Sequence, residues 1–166
     1  MADDTEHFLA FVKDQKKILY KVAYAYCRNA EDRRDLIQEM LVALWQSFGR
    51  FDGRCQPSTW TYRVAMNVAI SFYRHEGRRR RDTVSLDEFG LDFAAADEVF
   101  AQTGDNMRVL RALIDRLDEL NRALILMFLD GFSYEEIADV VGITATNVST
   151  RLSRIKQKLQ REFGAA

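Results

Sequence analysis

Residues 133 to 161 carry the local signals of two short helices joined by a tight turn, and few other local structures would use all of them. Ser133 is a good N-cap, and Glu136 three residues later can reach back to close a capping box. Ile137, Ala138 and Val141 then give the first helix an apolar face. Gly142 falls where a helix ends in a left-handed residue, and Thr144 can cap the next helix. In that second helix Val148, Leu152, Ile155, Leu159 and Phe163 recur at spacings of three and four, which predicts one buried stripe. The opposite face holds Thr146, Asn147, Ser149, Thr150, Arg151, Ser153, Arg154, Lys156, Lys158 and Arg161. Between Thr144 and Arg161 stand five basic residues and no acidic one.

Small hydrogen-bonding side chains thus cluster at the start of the second helix, with Arg and Lys further along. Base edges are read by the first kind of residue and phosphates are held by the second. A basic amphipathic helix by itself fits an ordinary surface helix as well. The capped pair with its glycine turn favours a helix-turn-helix that binds DNA.

At 166 residues the chain can hold one domain or two small ones. A hydrophobic content of 48% supports packed cores, and a single Pro with eight Gly argues against a disordered or loop-rich β chain. No uninterrupted apolar run is long enough for a membrane span, so no membrane insertion is expected. The acidic start, Met-Ala-Asp-Asp-Thr-Glu-His, is unlike a secretory signal. Cys27 and Cys55 match no metal motif; reduced thiols in a cytoplasmic protein are the simplest account, with a Cys27–Cys55 redox pair as the alternative. The formal net charge of −1 conceals a segregation: residues 1–81 carry a net +5, residues 82–119 a net −7, and residues 120–166 a net +1. Whole-chain charge therefore does not argue against a nucleic-acid partner.

Nearly all of the remaining text reads as helix. Phe8 through Tyr26 makes a long first helical region, either continuous or broken near Asp14. Asn29 can cap a second helix, with Glu31 and Asp32 in its first turn and an apolar stripe through Leu36, Ile37, Met40, Leu41, Leu44, Trp45 and Phe48. Gly49 to Pro57 is a loop. Ser58 or Thr59 can start a third helix through Trp60, Val64, Ala65, Val68 and Phe72, ending near His75. Residues 77–104 open with four arginines and turn acidic, as an interdomain linker would. Helical periodicity resumes near Asp105 with Val109, Leu110, Leu113, Ile114 and Leu117. The expected fold is all-α, with two small helical domains at 1–76 and 105–166 joined by a charged linker at 77–104.

Several pieces of this text form a recognisable set. In the first half they are Asp-Leu-Ile-Gln-Glu-Met at 35–40, Ala-Leu-Trp at 43–45, Phe-Asp at 51–52 and Ser-Thr-Trp-Thr-Tyr-Arg-Val-Ala-Met-Asn at 58–67. In the second they are Leu-Asp-Glu-Leu-Asn-Arg at 117–122 and Gly-Phe-Ser-Tyr-Glu-Glu-Ile-Ala at 131–138. In this order and spacing the chain resembles the bacterial RNA polymerase sigma factors of the extracytoplasmic-function (ECF) group. The resemblance implies that the first domain docks on core RNA polymerase and opens the promoter minus-10 region, while the second reads the minus-35 element. It further implies an anti-sigma factor as partner, beside core polymerase and promoter DNA.

Site residues follow from matching positions. Asp35, Gln38 and Glu39 share one helical face by their spacing, and the resemblance makes that face the polymerase-docking surface. For minus-10 DNA it points to Arg54, Gln56 and Ser58 in the loop and at the following helix start, with Arg63, Asn67, Ser71 and Arg74 along one face of that helix. Trp60 is read as core rather than as a stacking platform, whereas Tyr62 and Tyr73 stay open. Pro57 stands where the family commonly has an aromatic, and Asp118 where it often has Pro. For minus-35 DNA, Thr146, Asn147, Thr150 and Arg151 are assigned to base edges and Arg154 and Lys158 to phosphates.

Two other readings compete. A stand-alone helix-turn-helix regulator would explain the C-terminal half and leave the text at 35–67 unaccounted for. A sigma-mimicking partner of an anti-sigma factor should have lost Arg151, Arg154 and Lys158, which are present. No enzyme is expected: the two histidines, His7 and His75, belong to no catalytic constellation, and no metal or cofactor set is apparent.

Overall fold

The computed structural model describes residues 2–75 and 105–163, the side chains of 105–108 and 163 excepted. The expected linker at 77–104 and the side chain of Phe163 therefore lie outside the described residues. The chain divides near residue 105 into two compact units, each considered by itself. Every regular element among the described residues is an α-helix.

The first unit contains α1 (Ala2–Tyr26), α2 (Ala30–Phe48) and α3 (Pro57–Arg74), and each of the three packs on both others. Of the two options left open near Asp14 the continuous helix holds: α1 runs unbroken, because Phe8 and Val12 before that point and Leu19 and Val22 after it are all buried in the same core. Asn29 caps α2 as its position predicts, its side chain accepting from the Asp32 amide at 2.7 Å. Helix α3 starts one residue earlier than expected and without a side-chain cap. Pro57 occupies its first turn, where a missing amide hydrogen costs nothing and the fixed φ suits a helix.

Packing also corrects two apolar faces. On α3 the buried apolar positions are Trp60, Tyr62, Ala65, Met66 and Ala69, whereas Val64, Val68 and Phe72 are only half-buried. On α2 the stripe from Leu36 to Leu44 is buried, but Trp45 stays 45% exposed. Trp45 still meets Phe8 edge-on at 4.9 Å between ring centroids. Trp60 is core, as read from the sequence. Its ring lies 5.5 Å from Phe11 and 5.0 Å from Phe51, so it pins α1 and the loop after α2 to the start of α3. Between α1 and α2, Arg33 lies 4.2 Å from the Tyr24 ring and donates to the Arg28 carbonyl at 2.8 Å. Burial lowers its pKa, opposed by the nearby Cys27, and the guanidinium remains a cation. Cys27 is buried and Cys55 half-buried, and both are free thiols.

The second unit contains α4 (Asp105–Ile114), α5 (Glu119–Leu129), α6 (Tyr134–Val141) and α7 (Ala145–Phe163). Asp118 caps α5 by accepting from the Asn121 amide at 2.8 Å. Arg122 is buried and donates to the carbonyls of Asp115 at 3.2 Å and Leu117 at 3.0 Å, closing the turn between α4 and α5. Leu113, Ile114 and Leu117 are buried as their spacing predicts, while Val109 is exposed.

Trp60→Ala should destabilise the first unit by about 3–5 kcal/mol, the usual cost of emptying a buried aromatic site. Denaturant unfolding followed by circular dichroism checks this, and a loss below about 1 kcal/mol would contradict the role given to this ring.

Candidate nucleic-acid interface

The α6–turn–α7 unit forms as local chemistry dictates. Ser133 Oγ accepts from the Glu136 amide at 3.1 Å, and Glu136 Oε1 accepts from the Ser133 amide at 3.3 Å, completing the capping box. Gly142 adopts φ 78°, and its amide and that of Ile143 both donate to the Ala138 carbonyl, at 2.9 and 3.2 Å. Thr144 Oγ1 then accepts from the Asn147 amide at 3.1 Å and starts α7. The buried residues of α6 are Ile137, Ala138 and Val140; Val140 takes the place expected of Val141, which is half-buried.

Val148, Leu152 and Ile155 of α7 are buried, and α7 packs on both α5 and α6. That stripe fixes the roll of the helix and so decides which side chains face outward. Thr146, Thr150, Ser153, Arg154, Lys158 and Arg161 are exposed. Two of the five basic residues are instead engaged within the unit. Lys156 Nζ lies 4.1 Å from the centre of the Phe128 ring. Arg151 is half-buried, its Nε donating to Asn147 Oδ1 at 2.9 Å and its Nη1 to Asn121 Oδ1 at 3.3 Å. The helix therefore offers three outward cations rather than five, preceded by two threonines near its N-terminus.

In the first unit Arg63, Asn67, Ser71 and Arg74 line one side of α3; Arg63 is half-buried and the other three are exposed. In the loop before α3, Gln56 is exposed, and Ser58 is half-buried within the first turn. Arg54 is exposed and held by Asp52, with Nε 2.9 Å from Oδ2 and its amide 3.0 Å from Oδ1. Tyr62 is fully buried, so it offers no stacking surface, and Tyr73 meets Tyr26 edge-on at 6.2 Å. On α2, Asp35, Gln38 and Glu39 share a half-buried face and each interacts with other groups of the protein. Asp52, Asn121 and Phe128, which orient Arg54, Arg151 and Lys156, were not legible as site residues. Among the described residues no cluster of His, Cys, Asp or Glu could hold a metal ion, and no helix is long and apolar enough to cross a membrane.

Residues 11–79 match the family model of sigma-70 region 2, and residues 107–159 match that of sigma-70 region 4. The chain is 29% identical over 156 residues to the ECF RNA polymerase sigma factor SigE of Mycolicibacterium smegmatis, covering 90% of this chain and 58% of that one. It is 28% identical over 163 residues to the RNA polymerase sigma-H factor of Pseudomonas aeruginosa, covering 92% and 83%. The chain belongs to the ECF group of sigma-70 factors. Its fold is also that of the sigma factor RpoE of Bartonella quintana, solved with the anti-sigma factor NepR, at a TM-score of 0.63 and 19% identity over 97% of this chain and 96% of that one. As a sigma factor it acts in transcription initiation with RNA polymerase and promoter DNA, and its region 2 and region 4 matches fall on the two compact units.

In this sigma factor the turn before α7 rests on one left-handed residue. A Cβ at Gly142 would meet nothing within 4 Å, so Gly142→Ala carries a backbone cost alone, about 1–2 kcal/mol. Thermal unfolding of the second unit measures it; an unchanged melting temperature would mean that the turn can adopt another conformation.

Proposed function

We propose that residues 1–76 form the domain that docks on core polymerase and captures melted minus-10 DNA. Residues 105–166 form the minus-35 reader, and residues 77–104 link the two. The observation that carries this reading is the outward face of α7, where Thr146 and Thr150 precede the exposed cations Arg154 and Lys158. Hydroxyls near the start of such a helix suit base edges, and the cations one and two turns on suit phosphates. Asn147 and Arg151 act there as a bonded pair rather than as two separate readers.

The minus-10 set divides by position. Arg54 and Gln56, exposed in the loop, meet the unpaired strand first, with Ser58 at the helix start. Arg63, Asn67, Ser71 and Arg74 follow the strand along α3 as a polar, cationic track. Asp35, Gln38 and Glu39 form the docking face, whose acidity suits a basic partner surface. The role is non-catalytic and cytoplasmic. The Bartonella protein was solved with an anti-sigma factor; from membership of the ECF group, an anti-sigma factor is a further partner of this chain and holds it inactive by covering its polymerase-facing surfaces.

The direct test is transcription in vitro by core RNA polymerase with this chain, on a library randomised at minus-10 and minus-35. Selection of one sequence pair at fixed spacing supports the reading, and output independent of the added chain overturns it. Charge reversal at Asp35 and Glu39 should weaken core-polymerase binding on the order of tenfold or more while leaving the helical spectrum intact. Wild-type affinity would remove α2 as the docking face. Arg151→Ala should relax one or two minus-35 positions by about 1–3 kcal/mol, whereas Lys158→Ala should weaken all sequences alike and lower the salt slope by about 1. Equal behaviour of the two variants across the library would erase that division of labour.

A further inference from the structure

Asn121 sits in the first turn of α5, outside the helix-turn-helix, and its side chain has an unusual use. A residue at the third position of a helix often turns back to bond the cap of its own helix. Asn121 gives its backbone amide to the Asp118 cap at 2.8 Å, but its Oδ1 faces α7 and accepts from Arg151 Nη1 at 3.3 Å. Asn147, four residues before Arg151 on α7, accepts from Nε at 2.9 Å. One hydrogen bond leaves a guanidinium free to rotate about that bond. Two acceptors on different helices fix the plane of the group.

We infer that Asn121 is a positioning residue for promoter recognition: it holds Arg151 in the orientation in which the guanidinium meets a minus-35 base edge. The inference rests on the minus-35 reading of α7 proposed above. Arg has five N–H donors, of which Asn121 and Asn147 occupy one each, so both hydrogens of Nη2 stay available for a purine acceptor edge. Both Asn121 and Arg151 are half-buried, and the stripe of Val148, Leu152 and Ile155 already anchors α7. The bond therefore contributes mainly orientation. Ordering a long side chain before DNA arrives removes an entropic cost from binding, but only for sequences that accept the fixed geometry.

The experiment is transcription by core polymerase from a library randomised through the minus-35 element, comparing the wild-type chain with Arg151→Ala, Asn121→Ala, Asn121→Ser, Asn121→Asp and the Asn121→Ala/Arg151→Ala double variant. Asn121→Ala should relax the same positions as Arg151→Ala, by about two- to tenfold. Asn121→Ser, which suits a first helical turn and is too short to reach Arg151, should do likewise and covers the case in which the alanine variant fails to fold. Asn121→Asp keeps an acceptor and should retain the wild-type profile. The double variant should match Arg151→Ala alone. A uniform loss of output with an unchanged profile in the Ala and Ser variants would make the bond a structural clamp and overturn the inference. So would additive effects in the double variant. If Arg151→Ala itself leaves the profile unchanged, the base-reading role of Arg151 falls and the inference with it. If Arg151→Ala relaxes the profile and both Asn121 loss variants do not, only the inference falls.

Discussion

Burial of Val148, Leu152 and Ile155 beneath α7 is the constraint on which the DNA-reading half of the molecule depends. Each such side chain contributes about 1.5–3 kcal/mol when taken from water. Together they outweigh any surface contact that could roll the helix to another setting. Once the roll is fixed, the angular step of the helix assigns every other side chain. Thr146, Thr150, Arg154 and Lys158 face outward, Lys156 turns onto Phe128, and Arg151 comes within reach of α5. Recognition chemistry is thus a consequence of core packing one helical face away.

The first unit uses the same logic with aromatic rings. Trp60 joins Phe11 and Phe51, so the loop that precedes α3 is tied at its start to the core and at its end to the helix. Arg54, exposed between those anchors, has its own partner in Asp52. On the proposed division of labour, neither unit needs to bind DNA tightly alone. A chain that carries two modest readers, brought together on a polymerase, gains affinity through effective concentration. On the proposed reading three outward cations on α7 suffice for such a reader, with the proposed second site and the polymerase supplying the remainder.

What was legible in the sequence was what adjacent residues decide. The Ser133–Glu136 box, the Asn29 cap and the left-handed Gly142 each depend on partners within four residues, and each formed as read. Tertiary packing decided the rest. On α3 two apolar faces overlap, and Tyr62, Met66 and Ala69 rather than Val64, Val68 and Phe72 took the core because they face α1 and α2. Around Asp14 the polar residues leave a break and a continuous helix both open, and burial of the flanking apolar positions in one core decides for the continuous helix. The Arg151–Asn121 bond joins residues thirty apart in the chain, on helices whose adjacency no local signal encodes. Helical spacing alone places Lys156 among the outward cations for the same reason, since its partner Phe128 lies on another helix.

If the buried stripe of α7 selects the side chains that meet DNA, photocrosslinking from single positions on that helix reads the selection out. A photoreactive residue placed at Thr150, and in a separate protein at Lys156, would be irradiated in the complex of sigma factor, core polymerase and promoter. Crosslinks should form from position 150 into the minus-35 bases and not from position 156. Crosslinks of equal strength from both, or from 156 alone, would mean that α7 meets DNA with another face.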